Sequence, residues 1–135
     1  MVKHITFLNY YNDEYTYSLF CKCEEIIDGI NRRQAVSIYQ DKCNNIDDNY
    51  SDIFNSNIKE ICCQSLEYLN KVYNGIHYDL LYKTGFKYLY YWLYKHKFKS
   101  NKESSNFKVI YKEIIKIFND EISSVTYDKD YQSVT

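Results

Sequence analysis

Asn57-Ile58-Lys59-Glu60-Ile61-Cys62-Cys63-Gln64-Ser65-Leu66-Glu67-Tyr68-Leu69-Asn70-Lys71-Val72 reads as a helix from one end to the other. Asn57 with Glu60 three residues later resembles a capping box, with Asn in place of the usual Ser or Thr. Ile58, Ile61, Cys62, Ser65, Leu69 and Val72 then recur at spacings of three and four, which puts them on one side of a 3.6-residue period. Gly75 follows and ends the pattern.

The same period extends outward in both directions. Upstream, Asn12 with Asp13 and Glu14 suits the free N–H groups of a helix start, and Leu19, Cys23, Ile26, Ile27 and Ile30 form the stripe, with Gly29 as its end. A second, weaker helix is expected over residues 32–42, with Ala35, Val36 and Tyr39 inward. Cys43 to Asn57, dense in Asn, Asp and Ser, reads as a loop. Downstream, Thr84 is placed as a hydroxyl cap before Phe86, Leu89, Trp92, Leu93 and His96. A last helix follows Ser104 and Ser105, its stripe made by Phe107, Ile110, Ile114, Ile117 and Phe118. The expectation is an all-α fold: one helical bundle-like domain of about five helices over residues 1–135, with 119–135 a flexible polar tail.

Composition narrows the field further. A length of 135 residues fits one domain, and 45% hydrophobic residues at a net charge of -1 exclude wholesale disorder. Zero Pro and 3 Gly argue against a hairpin-rich β fold and against glycine loops that cradle phosphate. The mainly apolar run from Tyr88 to Tyr94 is far shorter than the ~20 residues of a membrane span. The first residues lack the pattern of a cleavable signal.

Charge is segregated along the chain. Residues 1–70 carry 6 basic and 11 acidic groups, residues 71–118 carry 10 and 3, and residues 119–135 carry 1 and 4. Lys95, Lys97, Lys99, Lys102, Lys108, Lys112 and Lys116 lie in the basic block as a patch for an anionic partner or as a solvated face. Lys108, Lys112 and Lys116 stack at intervals of four. Basic residues around aromatics resemble a grip on single-stranded nucleic acid, but Trp92 and Leu93 are placed to fill a core, so no nucleic acid is expected.

The five cysteines contain no CxxC pair, which removes zinc-finger spacing and dithiol chemistry. Cys23 and Cys62 lie on apolar stripes and are the disulfide candidates, the alternatives being buried free thiols or a metal site. His4, His77 and His96 are the only histidines, and none has the setting of a catalytic base. No catalytic, metal or cofactor-binding residue is assigned, and no cofactor is expected. Asn49-Tyr50-Ser51 is a formal glycosylation sequon.

Gly85-Phe86-Lys87-Tyr88-Leu89-Tyr90-Tyr91-Trp92-Leu93-Tyr94 closely resembles the Cys-x-Tyr-Leu-x-Tyr-Trp-Leu-Tyr motif of the Plasmodium interspersed repeat (PIR) superfamily, the variant antigens called vir proteins in Plasmodium vivax. Ile61-Cys62, Leu66 and Tyr68-Leu69 resemble the family's cysteine-bearing helix before the motif, and Ile110-Tyr111-Lys112-Glu113-Ile114-Ile115 the helix after it, so the likeness spans about residues 15–118. The resemblance implies a non-enzymatic variant antigen or host-interaction domain exported to the infected red cell, active in antigenic variation, immune evasion or adhesion. Its partner would be a host cell-surface protein or glycan. Phe86, Tyr88, Leu89, Tyr91, Trp92 and Leu93 would be motif and core, with function on the Cys43 to Asn57 loop and the Lys97 to Ser105 connection. Phe86 stands where the family usually has Cys, which implies that the bridge from that position is missing and Cys62 is left unpaired. Members commonly carry a transmembrane helix, so the chain is expected to be a short member without one. The alternative is a soluble helical adaptor, intracellular or exported, that is not displayed on the surface.

Overall fold

The computed structural model describes residues 14–33, 37–52, 57–74, 83–97 and 106–122, and these are helical with no strand among them. Five α-helices form the framework: α1 (Glu14–Arg33), α2 (Asn44–Tyr50), α3 (Ile58–Tyr73), α4 (Thr84–Trp92) and α5 (Phe107–Ile117). A 3-10 turn, Gln40–Cys43, leads into α2, and wider π-type turns extend α4 over Leu93–Lys97 and α5 over Phe118–Ile122.

α3 is the centre of the fold, packed against α1, α2, α4 and the end of α5. Every residue of its sequence stripe is buried, and Cys63, Leu66, Tyr68 and Tyr73 are buried as well. Such a wide apolar surface is what a helix enclosed by neighbours needs. Its solvent side is the line of Asn57, Glu60 and Lys71. The Asn57 side chain accepts the Glu60 N–H at 3.1 Å, which is the N-cap half of the expected capping box; the Glu60 carboxylate accepts from the Asn57 side-chain amide at 3.4 Å rather than from its backbone N–H. Buried Ser65 donates its hydroxyl to the Ile61 carbonyl at 2.8 Å.

α1 does not stop at Gly29 but runs on to Arg33. A glycine inside a helix costs about 1 kcal/mol against alanine, and burying Ile30 on the far side offsets that. The same burial covers Leu19, Phe20, Cys23 and Ile27. The second helix expected over residues 32–42 is replaced by the end of α1 and the short Gln40–Cys43 turn, with Tyr39 buried; Ala35 and Val36 lie outside the described residues. The segment read as a loop contains α2 instead. Its polar residues face water, while Cys43 and Ile46, three apart, both point into the core. Two buried anchors one turn apart are enough to hold a short helix that propensity alone would not form.

Thr84 is not a cap: it is the first residue of α4 and is itself buried. Beyond it Phe86, Tyr88, Leu89, Tyr91, Trp92 and Leu93 are all buried, and His96 is half-buried. On α5, Phe107, Ile110, Ile114 and Phe118 are buried as the stripe predicts, joined by Tyr111 and Ile115, while Ile117 is only partly covered. Residues 119–122 do not belong to a tail. They continue the helix as a π-type turn, tied down by Lys42 Nζ to Glu121 Oε1 at 3.2 Å and Asn74 Nδ2 to the Ile122 carbonyl at 3.4 Å. The remaining residues of that stretch, 123–135, lie outside the described residues, and the Ser104–Ser105 cap lies outside as well.

Candidate functional site

The aromatic motif is built into the core rather than offered to a ligand. A hydrogen-bond clasp from α3 seats the start of α4. Tyr68 donates its hydroxyl to the Gly85 carbonyl at 2.7 Å, and the Phe86 N–H donates to the Tyr73 hydroxyl at 2.9 Å. The Phe86 N–H is one of the groups that a helix N-terminus leaves without an intrahelical acceptor, so a tyrosine from another helix caps α4. Tyr111 adds a longer bond from its hydroxyl to the Phe86 carbonyl at 3.4 Å. The Phe86 ring stacks on Tyr73 with centroids 4.3 Å apart. Phe20 meets the Tyr88 ring edge-on at 5.5 Å, and Tyr90 meets Tyr111 the same way at 5.2 Å.

The disulfide joins Cys43 to Cys62, so Cys23 is not the partner of Cys62. The Cα atoms of Cys43 and Cys62 stand 5.9 Å apart, within the span a disulfide requires; the 3-10 turn delivers Cys43 to that place on α3. Cys62 is therefore bridged, although Phe86 occupies the position where the resemblance expected a cysteine. Cys23 is a buried free thiol beside the Tyr68 hydroxyl, and burial pushes it up to about 12. It stays protonated at neutral pH. Cys21 and Cys63 are also free, and burial raises the Cys63 thiol too.

The candidate lysines separate into two groups. Lys108, Lys112 and Lys116 are exposed along one side of α5, and none makes an ion pair with a described residue. Lys95 is exposed and lies over the Tyr94 ring at 5.3 Å. Lys97 is half-buried, stands over the Trp92 ring at 5.0 Å, and borders a small hollow with Asn57, Glu60 and Gln64 of α3. Lys99 and Lys102 lie outside the described residues, as does most of the Lys97 to Ser105 connection.

A feature with no signal in the sequence lies between the end of α1, the segment before the 3-10 turn and the first half of α3. It is a cleft of about 470 Å³ whose walls include Asn31, Ser37, Glu60, Cys63, Gln64 and Glu67. Glu60 accepts from Gln64 Nε2 at 3.3 Å, and Glu67 is ion-paired with Arg33 at the last turn of α1. Among the described residues the buried oxygens Asn31 Oδ1 and Gln64 Oε1 have no hydrogen-bond partner. These residues come from segments about thirty positions apart, and only the packing of α1 on α3 assembles them.

Among the described residues no group of three His, Cys, Asp or Glu side chains could hold a metal ion, and no helix is long and apolar enough to cross a membrane. Comparison with known protein families, with curated proteins and with solved structures finds no match to the chain.

Proposed function

We propose that the chain is a non-enzymatic helical interaction domain of a malaria parasite, the variant-antigen role implied by its resemblance to the PIR superfamily. The α5 lysine row is its contact with anionic groups of a host cell-surface protein or glycan at the infected red cell. The observation that carries this reading is the row itself. Lys108, Lys112 and Lys116 stand one above the next with no carboxylate paired to them among the described residues. At a rise of about 6 Å per step, like charges at this spacing repel by a few tenths of a kcal/mol per pair. An anion laid along the row relieves that repulsion. The Cys43–Cys62 bridge agrees with folding in an oxidising compartment, as export to the host cell surface entails.

The test is binding of the purified chain to red cells at low and high salt, alongside a K108E/K112E/K116E variant. Binding that weakens with salt and is lost in the variant supports the reading. Binding indifferent to both removes it. Protein from the native source, alkylated under denaturing conditions without reductant, separates this reading from an intracellular adaptor. Three modified thiols are expected; five would favour the adaptor.

A further inference from the structure

We propose that Asn49 is a covalent modification site, the acceptor of an N-linked glycan whose first sugar is N-acetylglucosamine. The site rests on the same oxidising compartment as the proposed function, indicated by the Cys43–Cys62 bridge, and not on the α5 lysine row. Asn49-Tyr50-Ser51 is the one Asn-x-Ser/Thr triplet in the chain. Such a triplet is the acceptor where a protein passes through a secretory pathway.

Its place in the fold suits a glycan. Asn49 is in the last turn of α2, and Ser51 is the residue that follows the helix. Both are exposed, while Tyr50 between them packs against the core. No hydrogen bond ties the Asn49 side chain to a described residue, so a sugar on its nitrogen breaks no contact there. Asn45, Asp48 and Asp52 around it are exposed as well. The helix is held from its other side by Cys43 and Ile46. A glycan at Asn49 is therefore carried into water without disturbing the core, and it masks the polar face of α2.

The folded helix is not the form that a transferase reads. Recognition requires the Asn amide and the Ser hydroxyl together, and side chains two apart on a helix do not face each other. A helix of 7 residues has little stability of its own, so the segment is open until the bridge closes and Ile46 is buried. Transfer takes place on that open segment, and folding then turns the modified residue outward. The donor is a lipid-diphosphate-linked oligosaccharide. Asn49 Nδ2 bonds to the anomeric carbon of its N-acetylglucosamine as the bond from that carbon to the diphosphate oxygen breaks. The lipid diphosphate leaves with the electron pair, and one amide proton passes to a base of the transferase.

The experiment takes the chain from its native source, alkylated under denaturing conditions without reductant, and reads its intact mass and the tandem mass spectrum of the peptide that holds Asn49. The expected result is N-acetylhexosamine on Asn49 together with three alkylated thiols, those of Cys21, Cys23 and Cys63. A copy carrying Ser51→Ala, introduced into the same cells, should lose the sugar with its thiol count unchanged. Ser51 is exposed, and it is its backbone N–H that bonds the Asp47 carbonyl, so this variant keeps the fold. Bare Asn49 with three alkylated thiols would overturn the glycan and leave the proposed function standing. Bare Asn49 with five would overturn both. A sugar that persists in Ser51→Ala would show attachment independent of the triplet, and would overturn the assignment as well.

Discussion

Tyr68 and Tyr73 hold the two ends of one peptide: the Tyr68 hydroxyl donates to the Gly85 carbonyl and the Tyr73 hydroxyl accepts from the adjoining Phe86 N–H. Both residues are on α3 and the peptide is in the first turn of α4, so these two bonds set the register between the helices. Tyr73→Phe leaves a buried N–H unanswered and should cost about 1–3 kcal/mol, with Tyr68→Phe at about 1–2 kcal/mol. Because they share a peptide, the double variant should depart from additivity by at least 0.5 kcal/mol, roughly the lower edge for coupled contacts. Urea unfolding of the four proteins measures it; strict additivity would mean that the two bonds act separately.

Gly85 is required by the same contact. A Cβ there would stand 2.6 Å from Tyr73 Oη and 2.8 Å from Val72 Cγ1. Gly85→Ala should therefore destabilise by about 1–3 kcal/mol through overpacking, although alanine is the better helix former by about 1 kcal/mol. Gly29→Ala is the control, since a Cβ at Gly29 meets nothing within 4 Å. It should stabilise α1 by a few tenths to about 1 kcal/mol. Thermal unfolding should move the two variants in opposite directions.

The Cys43–Cys62 bridge closes a loop with a sequence separation of 19. For a loop of that length the chain-entropy account assigns about 3 kcal/mol. Reduction, or Cys43→Ala, should lower the unfolding free energy by about that amount and so move the urea midpoint down, with α2 losing hydrogen-exchange protection first because Cys43 is one of its two buried anchors. Cys21→Ser, in a position only partly covered, should leave the midpoint unchanged.

Alkaline pH should unfold this core. Burial raises Tyr68 well above its ordinary value and raises Tyr88, with Cys23 pushed up to about 12. Each group is neutral when protonated, so above its unfolded pKa the unfolded chain has lost the proton that the folded chain keeps. Stability is then full below about pH 9 and falls as pH rises, first through Cys23 near 9 and then through the tyrosines above 10. Urea midpoints from pH 7 to 11, with tyrosinate absorbance recorded in parallel, check this. A flat midpoint to pH 11 would contradict it.

Periodicity carried much of the architecture because burial of an apolar stripe is a local property of a helix. α3 with its Asn57 cap, the stripes of α1 and α5, and the run from Phe86 to Leu93 could all be read from spacings of three and four. The readings that failed were those in which a local signal competed with packing. Gly29 looked like a stop, but Ile30 gains burial beyond it. The Asn- and Asp-rich segment after Cys43 looked like a loop, but Cys43 and Ile46 pin it to α3 as α2. Thr84 looked like a cap, but the acceptor for the α4 N-terminus comes from Tyr73. Side chains that answer a helix end from another helix leave no mark at the end they serve.

The amino-acid sequence alone determined an all-helical chain with α3 as its most regular helix, a motif segment suited to a core and a basic stretch ending in lysines spaced by four. Only the tertiary structure decided that Cys62 pairs with Cys43, that the Tyr68 and Tyr73 hydroxyls meet one peptide of α4, and that Asn31 and Gln64 share a cleft. The reason is physical: a hydrophobic period acts over a few turns of one helix, whereas a disulfide, a shared peptide or a cleft requires atoms from distant segments to be brought within a few ångströms by the packing of the whole chain.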